Sequence, residues 1–509
     1  MPAVPRPPIV AVMGHIDHGK SSLLDYIRQS RIVETEAGGI TQHLGAYVVE
    51  HATSSGEKRT ITFLDTPGHA AFHSIRVRGA QVADIIILVV SAEEGAKPQT
   101  KEAFEVARNA GLPVVVAFTK IDKPNADVER AKYSLLEHGI YLEGLGGDIP
   151  YAAISSKTGE GIEDLLELVL LVADMQDIRA DPEAPASGLV VEAHHDEKRG
   201  ISATLLVKEG TLRQGEFVVA GGAWVPVRRL ESPLGGELPE AGPSCPAVVR
   251  GFSSLPRVGA PFRVFQEKNA AISAAQEEER AIQQARELAL KPLEEIGGGE
   301  GPRRMPIIIK ADAVGSLEAL LTEIPTLATN RYAPVVVHSG VGAVSESDIQ
   351  RACATEPSAL VLGFCVGVEP VAQDLARREG VFVGTHKVIY EALEWLSRTL
   401  EQHTPKRKIR RVLGMFKVLV HFSSKQDEHL IGGMVTKGVV RKGGRFVKPL
   451  PDDAPDDAPE PPVGTILSLQ RNRKDVEKVP QPEEFGAMVQ LNLLPQKGDV
   501  FEVFMEEWE

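Results

Sequence analysis

The segment Gly14-His15-Ile16-Asp17-His18-Gly19-Lys20-Ser21 restricts what this chain can fold into more than any other stretch. It matches G-x-x-x-x-G-K-[ST], follows an apolar run at 9–13 and precedes a helical pattern beginning near Ser22. A strand, a glycine-rich loop and a helix in that order turn backbone amides toward one point, at the positive end of the helix. Such a loop wraps anionic phosphates. Lys20 can reach the β- and γ-phosphates and the Ser21 hydroxyl can ligate Mg²⁺, so the motif points to a bound nucleoside triphosphate.

The surrounding pattern supplies the fold class. Residues 9–13, 60–64, 85–90 and 114–118 are short, apolar and rich in β-branched side chains, and helical patterns such as 100–109 separate them. That alternation predicts buried parallel strands with crossover helices, a P-loop domain over 1–180. Residues 183–268 change texture to short alternating segments with glycine turns, which reads as a β-barrel. An Ala/Glu-rich helical linker follows over 269–304. The βα alternation returns over 305–402, with strands near 307–310, 335–338 and 360–364, and predicts a small α/β/α domain. Residues 408–509 are again strand-rich and read as a C-terminal β-barrel.

One internal repeat ties the two barrels together. Residues 207–215 and 435–443 share V-x-x-G-x-[LV]-R-x-G, so Gly210 and Gly215 correspond to Gly438 and Gly443. The glycines are expected at tight turns that need positive φ. The acidic, Pro/Ala-rich stretch 452–462 is too polar to bury and reads as a disordered loop.

Composition excludes several classes. The three cysteines, Cys245, Cys353 and Cys365, are far apart and form no C-x-x-C pair, which argues against a disulfide framework or zinc site and for a reducing cytoplasm. No apolar run approaches the roughly 20 residues a membrane helix requires. The net charge of −14 means that nucleic acid can be held only by local patches. One such patch is the 401–450 stretch, whose twelve Lys/Arg against three Asp/Glu suit contacts to an RNA backbone. A solvated helix end is the other reading of that stretch.

Further strand ends select the base and the switch. Thr119-Lys120-Ile-Asp122 closes an apolar run, and the Asp122 carboxylate can accept both hydrogen bonds from guanine N1–H and its exocyclic amine; adenine lacks that donor pair. The stem of Lys120 can lie over the base. Ser155-Ser156-Lys157 follows another apolar stretch and suits a backbone amide aimed at guanine O6. Asp65 is placed to hold Mg²⁺ through water, and Gly68 can bring its N–H close to the γ-phosphate because it has no side chain. Upstream, Gly38-Gly39-Ile40-Thr41 offers Thr41 as a second Mg²⁺ ligand, ordered only while the γ-phosphate is present. His69 is the candidate for orienting the attacking water. These residues together predict a GTPase switch with GTP/GDP and Mg²⁺ as its ligands.

Four segments, 14–21, 36–43, 65–72 and 120–124, resemble the GTPase domain of the bacterial translation initiation factor 2 family. The likeness continues through 207–212, 241–244, 310–319, 339–342 and 363–364, across nearly the whole chain. It implies a factor that delivers initiator formylmethionyl-tRNA to the small ribosomal subunit, promotes joining of the large one and hydrolyses GTP on stimulation by the ribosome. The implied partners are both subunits and their rRNA, the initiator tRNA and other initiation factors, for a cytoplasmic monomer off the membrane. Departures from the family pattern are visible. Thr119 stands where the family usually has Asn. The long N-terminal extension of many members is not expected, because the motif starts almost at Met1. The family's two cysteines in its tRNA-end pocket fall on Gly433 and on Phe485 of Glu484-Phe485-Gly486, the candidate tRNA-binding region. Two alternatives stay open: a GTP-dependent assembly or docking factor of the ribosome, and a specialised elongation-type GTPase, neither binding initiator tRNA.

Overall fold

The computed structural model describes residues 3–28, 44–54, 56–68, 70–196, 200–289, 302–403, 408–425, 427–449 and 462–508. The chain divides into two compact units, Met1–His403 and Thr404–Glu509.

The first unit opens on a six-stranded sheet. Its elements run β1 (Ile9–Gly14), α1 (Lys20–Arg28), β2 (Gly45–Ala52), β3 (Lys58–Asp65), α2 (His73–Val82), β4 (Ile85–Ser91), α3 (Pro98–Asn109), β5 (Val114–Thr119), α4 (Val128–Glu137), β6 (Tyr151–Ala153) and α5 (Ile162–Met175). The strand order is β2-β3-β1-β4-β5-β6, parallel except for β2, which pairs antiparallel with β3. β1, β4 and β5 are buried at every position, as strands covered on both faces must be. Alternation sorts their side chains: Ile9, Ala11 and Met13 join one core, Val10 and Val12 the core on the opposite face. β2 escaped the sequence reading because its outer half is half-exposed and mixed in polarity.

An antiparallel eight-stranded sheet follows, containing β7 (Ser187–Asp196) and β8 (Gly200–Glu209), wrapped around its own apolar core. The helix α6 (Lys268–Ala289) packs Ala271 and Ala275 against Val219 of that sheet. A third sheet is parallel, in the order β10-β9-β11-β12, from β9 (Arg303–Ala311), β10 (Tyr332–Val341), β11 (Leu360–Phe364) and β12 (Val383–His386). α8 (Glu346–Cys353) and α9 (Pro370–Glu379) cover one face; α7 (Val314–Glu323) and α10 (Ile389–His403) cover the other.

These three parts share a core. Phe72 and Ile75 near α2, Val191 of β7, Leu206 of β8 and Leu320 of α7 belong to one continuous buried cluster. At its edge the buried Glu192 carboxylate accepts from the Gly315 N–H in the first turn of α7, at 3.4 Å.

The second unit is a closed antiparallel barrel. β13 (Lys408–Lys425), β18 (Val500–Trp508), β15 (Arg445–Val447), β16 (Val463–Arg471), β17 (Glu484–Gln490) and β14 (Glu428–Arg441) pair in that order, and β14 returns to β13. Phe416, Phe446, Phe485 and Phe501 fill its centre. The repeat glycines all take positive φ, at 73° and 93° for Gly210 and Gly215 and at 68° and 78° for Gly438 and Gly443. A β-carbon on Gly210 would strike the Ala184 carbonyl, and one on Gly438 the Leu413 carbonyl. The second glycine of each copy donates to an equivalent carbonyl, Gly215 to Val227 and Gly443 to Ile466, both at 2.9 Å.

Candidate functional site

The phosphate motif occupies the turn between β1 and α1, and α1 starts at Lys20 rather than at Ser22, so Lys20, Ser21 and Ser22 lie in its first turn. Register brings the other predicted groups to the same edge: Val12 pairs with Asp65, Gly14 with Val89 and Ser91 with Thr119. They stand at the C-terminal ends of adjacent parallel strands, where open α/β sheets hold ligands.

Gly14, at φ 150°, presses on the Val89 carbonyl with no room for a β-carbon. Lys20 is buried and donates from Nζ to the His15 carbonyl at 2.6 Å. Burial pushes its ammonium down to about 8, against the opposing pull of Asp65. Gly68 sits directly against that ammonium; any side chain there would collide with Nζ. The loop from Asp65 to Gly68 therefore faces the lysine that would hold the outer phosphates.

His18 is fully buried, and burial together with neighbouring His15 takes its imidazole down to about 3, so it is neutral. Its Nδ1 accepts from the Ser91 N–H at 3.3 Å, which places the proton on Nε2. Protonation would set two donors face to face. His18 thus braces the loop against β4. Thr119 completes the brace by donating its hydroxyl to the His18 carbonyl at 2.5 Å. At the base end, Ser155 donates to Asp122 Oδ1 at 2.7 Å and holds that carboxylate below its usual range. Lys120 has φ 62°, which turns the chain sharply between Thr119 and Asp122. Asp17, Ser156 and Lys157 lie in the flanking loops.

Thr41 and His69 lie outside the described residues. For a divalent cation, the remaining donors are the Ser21 hydroxyl and the Asp65 carboxylate, both hard oxygen ligands that fit Mg²⁺.

Sequence reasoning missed the supports on the helices. Gln99 of α3 accepts from the Ile16 N–H at 3.2 Å. Arg76 of α2, 1% exposed, donates to the Pro67 carbonyl at 3.2 Å and to Glu102 of α3 at 2.6 Å. His73 meets the same Glu102 at 2.5 Å. Despite its burial, hydrogen bonds from Arg76 and His73 hold Glu102 below its usual range. No motif marks these residues, because their partners lie on loops or on another helix, 9 to 83 residues away.

The tRNA-end candidates fall together on two paired strands of the barrel. Gly433 is opposite Phe485, Met434 opposite Glu484 and Gly432 opposite Gly486. A β-carbon on Gly433 would lie 2.8 Å from the Phe485 ring, so the ring fills the space that the glycine leaves.

Comparison with known proteins places this geometry. Residues 6–174 match the family model for the elongation factor Tu GTP binding domain, 185–265 that for elongation factor G domain 2, and 277–397 that for translation-initiation factor 2. Over 505 residues, 98% of this chain and 71% of the relative, it is 42% identical to translation initiation factor IF-2 of Rubrobacter xylanophilus. The chain belongs to the IF-2 family. It is accordingly a translational GTPase, a GTP- and GDP-binding protein of translation initiation. GDP-bound aIF5B from Aeropyrum pernix is 26% identical to this chain over 98% of it and 92% of its own length, at a TM-score of 0.46. Elongation factor SelB from Methanococcus maripaludis, in complex with a GTP analogue, is 22% identical over 52% of this chain and 55% of its own, at 0.39. Among the described residues no helix is long and apolar enough to cross a membrane.

Proposed function

We propose that this IF-2 family member works in the cytoplasm as a ribosome-stimulated GTPase that promotes initiator formylmethionyl-tRNA binding to the small subunit and then subunit joining. The observation that carries the reading is the 42% identity running through 98% of the chain, barrels included. In this reading the amides of 14–21 and the Lys20 ammonium bind the phosphates, and Asp122, pre-set by Ser155, reads guanine. Ser156 and Lys157 close the base end. Mg²⁺, held by Ser21 and Thr41 and through water by Asp65, would supply charge neutralisation of the phosphates. Hydrolysis then needs an oriented water rather than a strong base, and His69 follows directly on Gly68, whose Cα lies against the Lys20 ammonium. Contact with the ribosome would place His69.

In the barrel, Glu484 and Gly486 lie on the strand that faces Gly432, Gly433 and Met434 and would meet the tRNA end. The Phe485 ring on Gly433 favours a second reading, in which the factor docks on ribosomal subunits without selecting formylmethionine. Filter binding of the GTP-loaded protein to formylated, unformylated and elongator tRNAs separates the two. Preference for the formylated initiator supports the first. Equal, negligible binding to all three removes it and leaves the docking factor. A His69→Ala protein should bind GTP normally and lose ribosome-stimulated turnover; retained turnover would end that role for His69.

A further inference from the structure

A cavity of about 860 Å³ lies beside α2; it shares His73 with the supports of the phosphate site but is lined by none of the residues assigned to the nucleotide. Four elements wall it: α2 with Ser74, Val77 and Arg78, the turn 257–261 of the antiparallel sheet, α6 with Ala281 and Ile282, and α7 with Glu318. Its size falls within the range of small-molecule sites, which combine apolar walls with a few placed polar groups.

The polar groups do not balance. Glu278 is satisfied, accepting from Arg263 at 2.6 Å and from the Gly222 N–H at 3.2 Å. Glu318 is satisfied by the Arg78 Nη2, at 2.6 Å. The Arg78 side chain is only 9% exposed, yet its Nη1 has no hydrogen-bond partner among the described residues. The buried Ser74 hydroxyl is likewise unpartnered among them. Arg257, exposed to solvent, brings a further cation with no ion pair among the described residues to the rim of the same cavity. Two buried donors without acceptors are costly, and an anion would satisfy the Arg78 guanidinium and the Ser74 hydroxyl while drawing on the exposed charge of Arg257. Val77, Ala281 and Ile282 offer the remainder of the wall to hydrocarbon.

We infer that this cavity is a binding site for a small amphipathic organic anion, its charged head on Arg78, Ser74 and Arg257 and its apolar body against α6. A ligand there touches the helix whose Arg76 also holds the Pro67 carbonyl behind the phosphate site. The inference stands on this geometry alone and is independent of the tRNA reading.

Decanoate is the probe, titrated calorimetrically into the full-length GDP-loaded protein, with uncharged decanamide as its control. Saturable one-to-one binding of decanoate is expected, with decanamide weaker by about tenfold or more. Arg257→Glu should weaken decanoate by a similar factor, and Ala281→Trp should abolish it, while GDP affinity stays unchanged in both. Should Ala281→Trp disturb folding, Ile282→Trp fills the same space from the next position on α6. Absence of saturable binding, equal affinity for decanamide, or binding that survives both Arg257→Glu and the tryptophan variant would each overturn the site.

Discussion

Lys20 shows how a single buried residue stores the demand for its ligand. Its ammonium has left water for a loop where one carbonyl is its hydrogen-bond acceptor, and burial lowers it to about 8. The charged form is the one that attracts phosphates, so its population in the free protein falls as pH rises through that value. Nucleotide binding restores the charge and must take up protons. Calorimetry at pH near 8 in buffers of different ionisation enthalpy should therefore show net proton uptake; none would contradict the cause assigned here. Thr119 makes a second residue-level case. Its hydroxyl reaches the His18 carbonyl at 2.5 Å, so the residue standing in place of the family's Asn ties the base loop to the phosphate loop. Thr119→Val should cost about 1–3 kcal/mol by leaving a buried carbonyl unpaired. Thr119→Ser should recover most of that loss. Urea unfolding alongside nucleotide affinity checks both.

At the scale of elements, complementarity between strands decides more than the identity of either partner. Gly433 and Phe485 are opposite each other on β14 and β17, and the ring occupies the glycine's vacant side-chain volume. Gly433→Ala should lower stability by about 1–3 kcal/mol through overpacking. Phe485→Ala should lower it by about 3–5 kcal/mol through the cavity it leaves in the barrel core. The double change to cysteine at both positions should cost less than the sum of the two single cysteine variants, because the two sites share one volume. Additive losses in chemical denaturation would show that the pair is not coupled. The repeat glycines express the same principle, since each copy places a carbonyl where a β-carbon would be.

Over the whole molecule, stability is divided unevenly. The Met1–His403 unit threads one buried cluster through three sheets, with Arg78 of α2 and Glu318 of α7 paired between helices of two of those parts. The Thr404–Glu509 unit has a separate aromatic core. Every described nucleotide-site residue belongs to the first unit. GDP at about 100 times its Kd should stabilise that unit by about 2.7 kcal/mol, visible as an upward shift of its calorimetric transition. The transition of the barrel unit should stay where it is. A common shift of both would show that the two unfold together.

Much of this was open to reading along the chain. The phosphate loop, its lysine and hydroxyl, Asp65 and Asp122 were legible because each is written into a short contiguous motif at the end of an apolar run. The α/β class followed from strands whose burial on both faces leaves unbroken apolar stretches. The edge strand β2 was not legible, since half of it faces solvent and carries no clean alternation. The work of His18, Gln99, Arg76 and Glu102, the Glu192–Gly315 contact and the fit of Phe485 over Gly433 appear only in three dimensions. Local sequence fixes backbone preference and pattern. Which polar atom meets which across tens or hundreds of residues depends on packing, and only the folded chain brings those partners within hydrogen-bond reach.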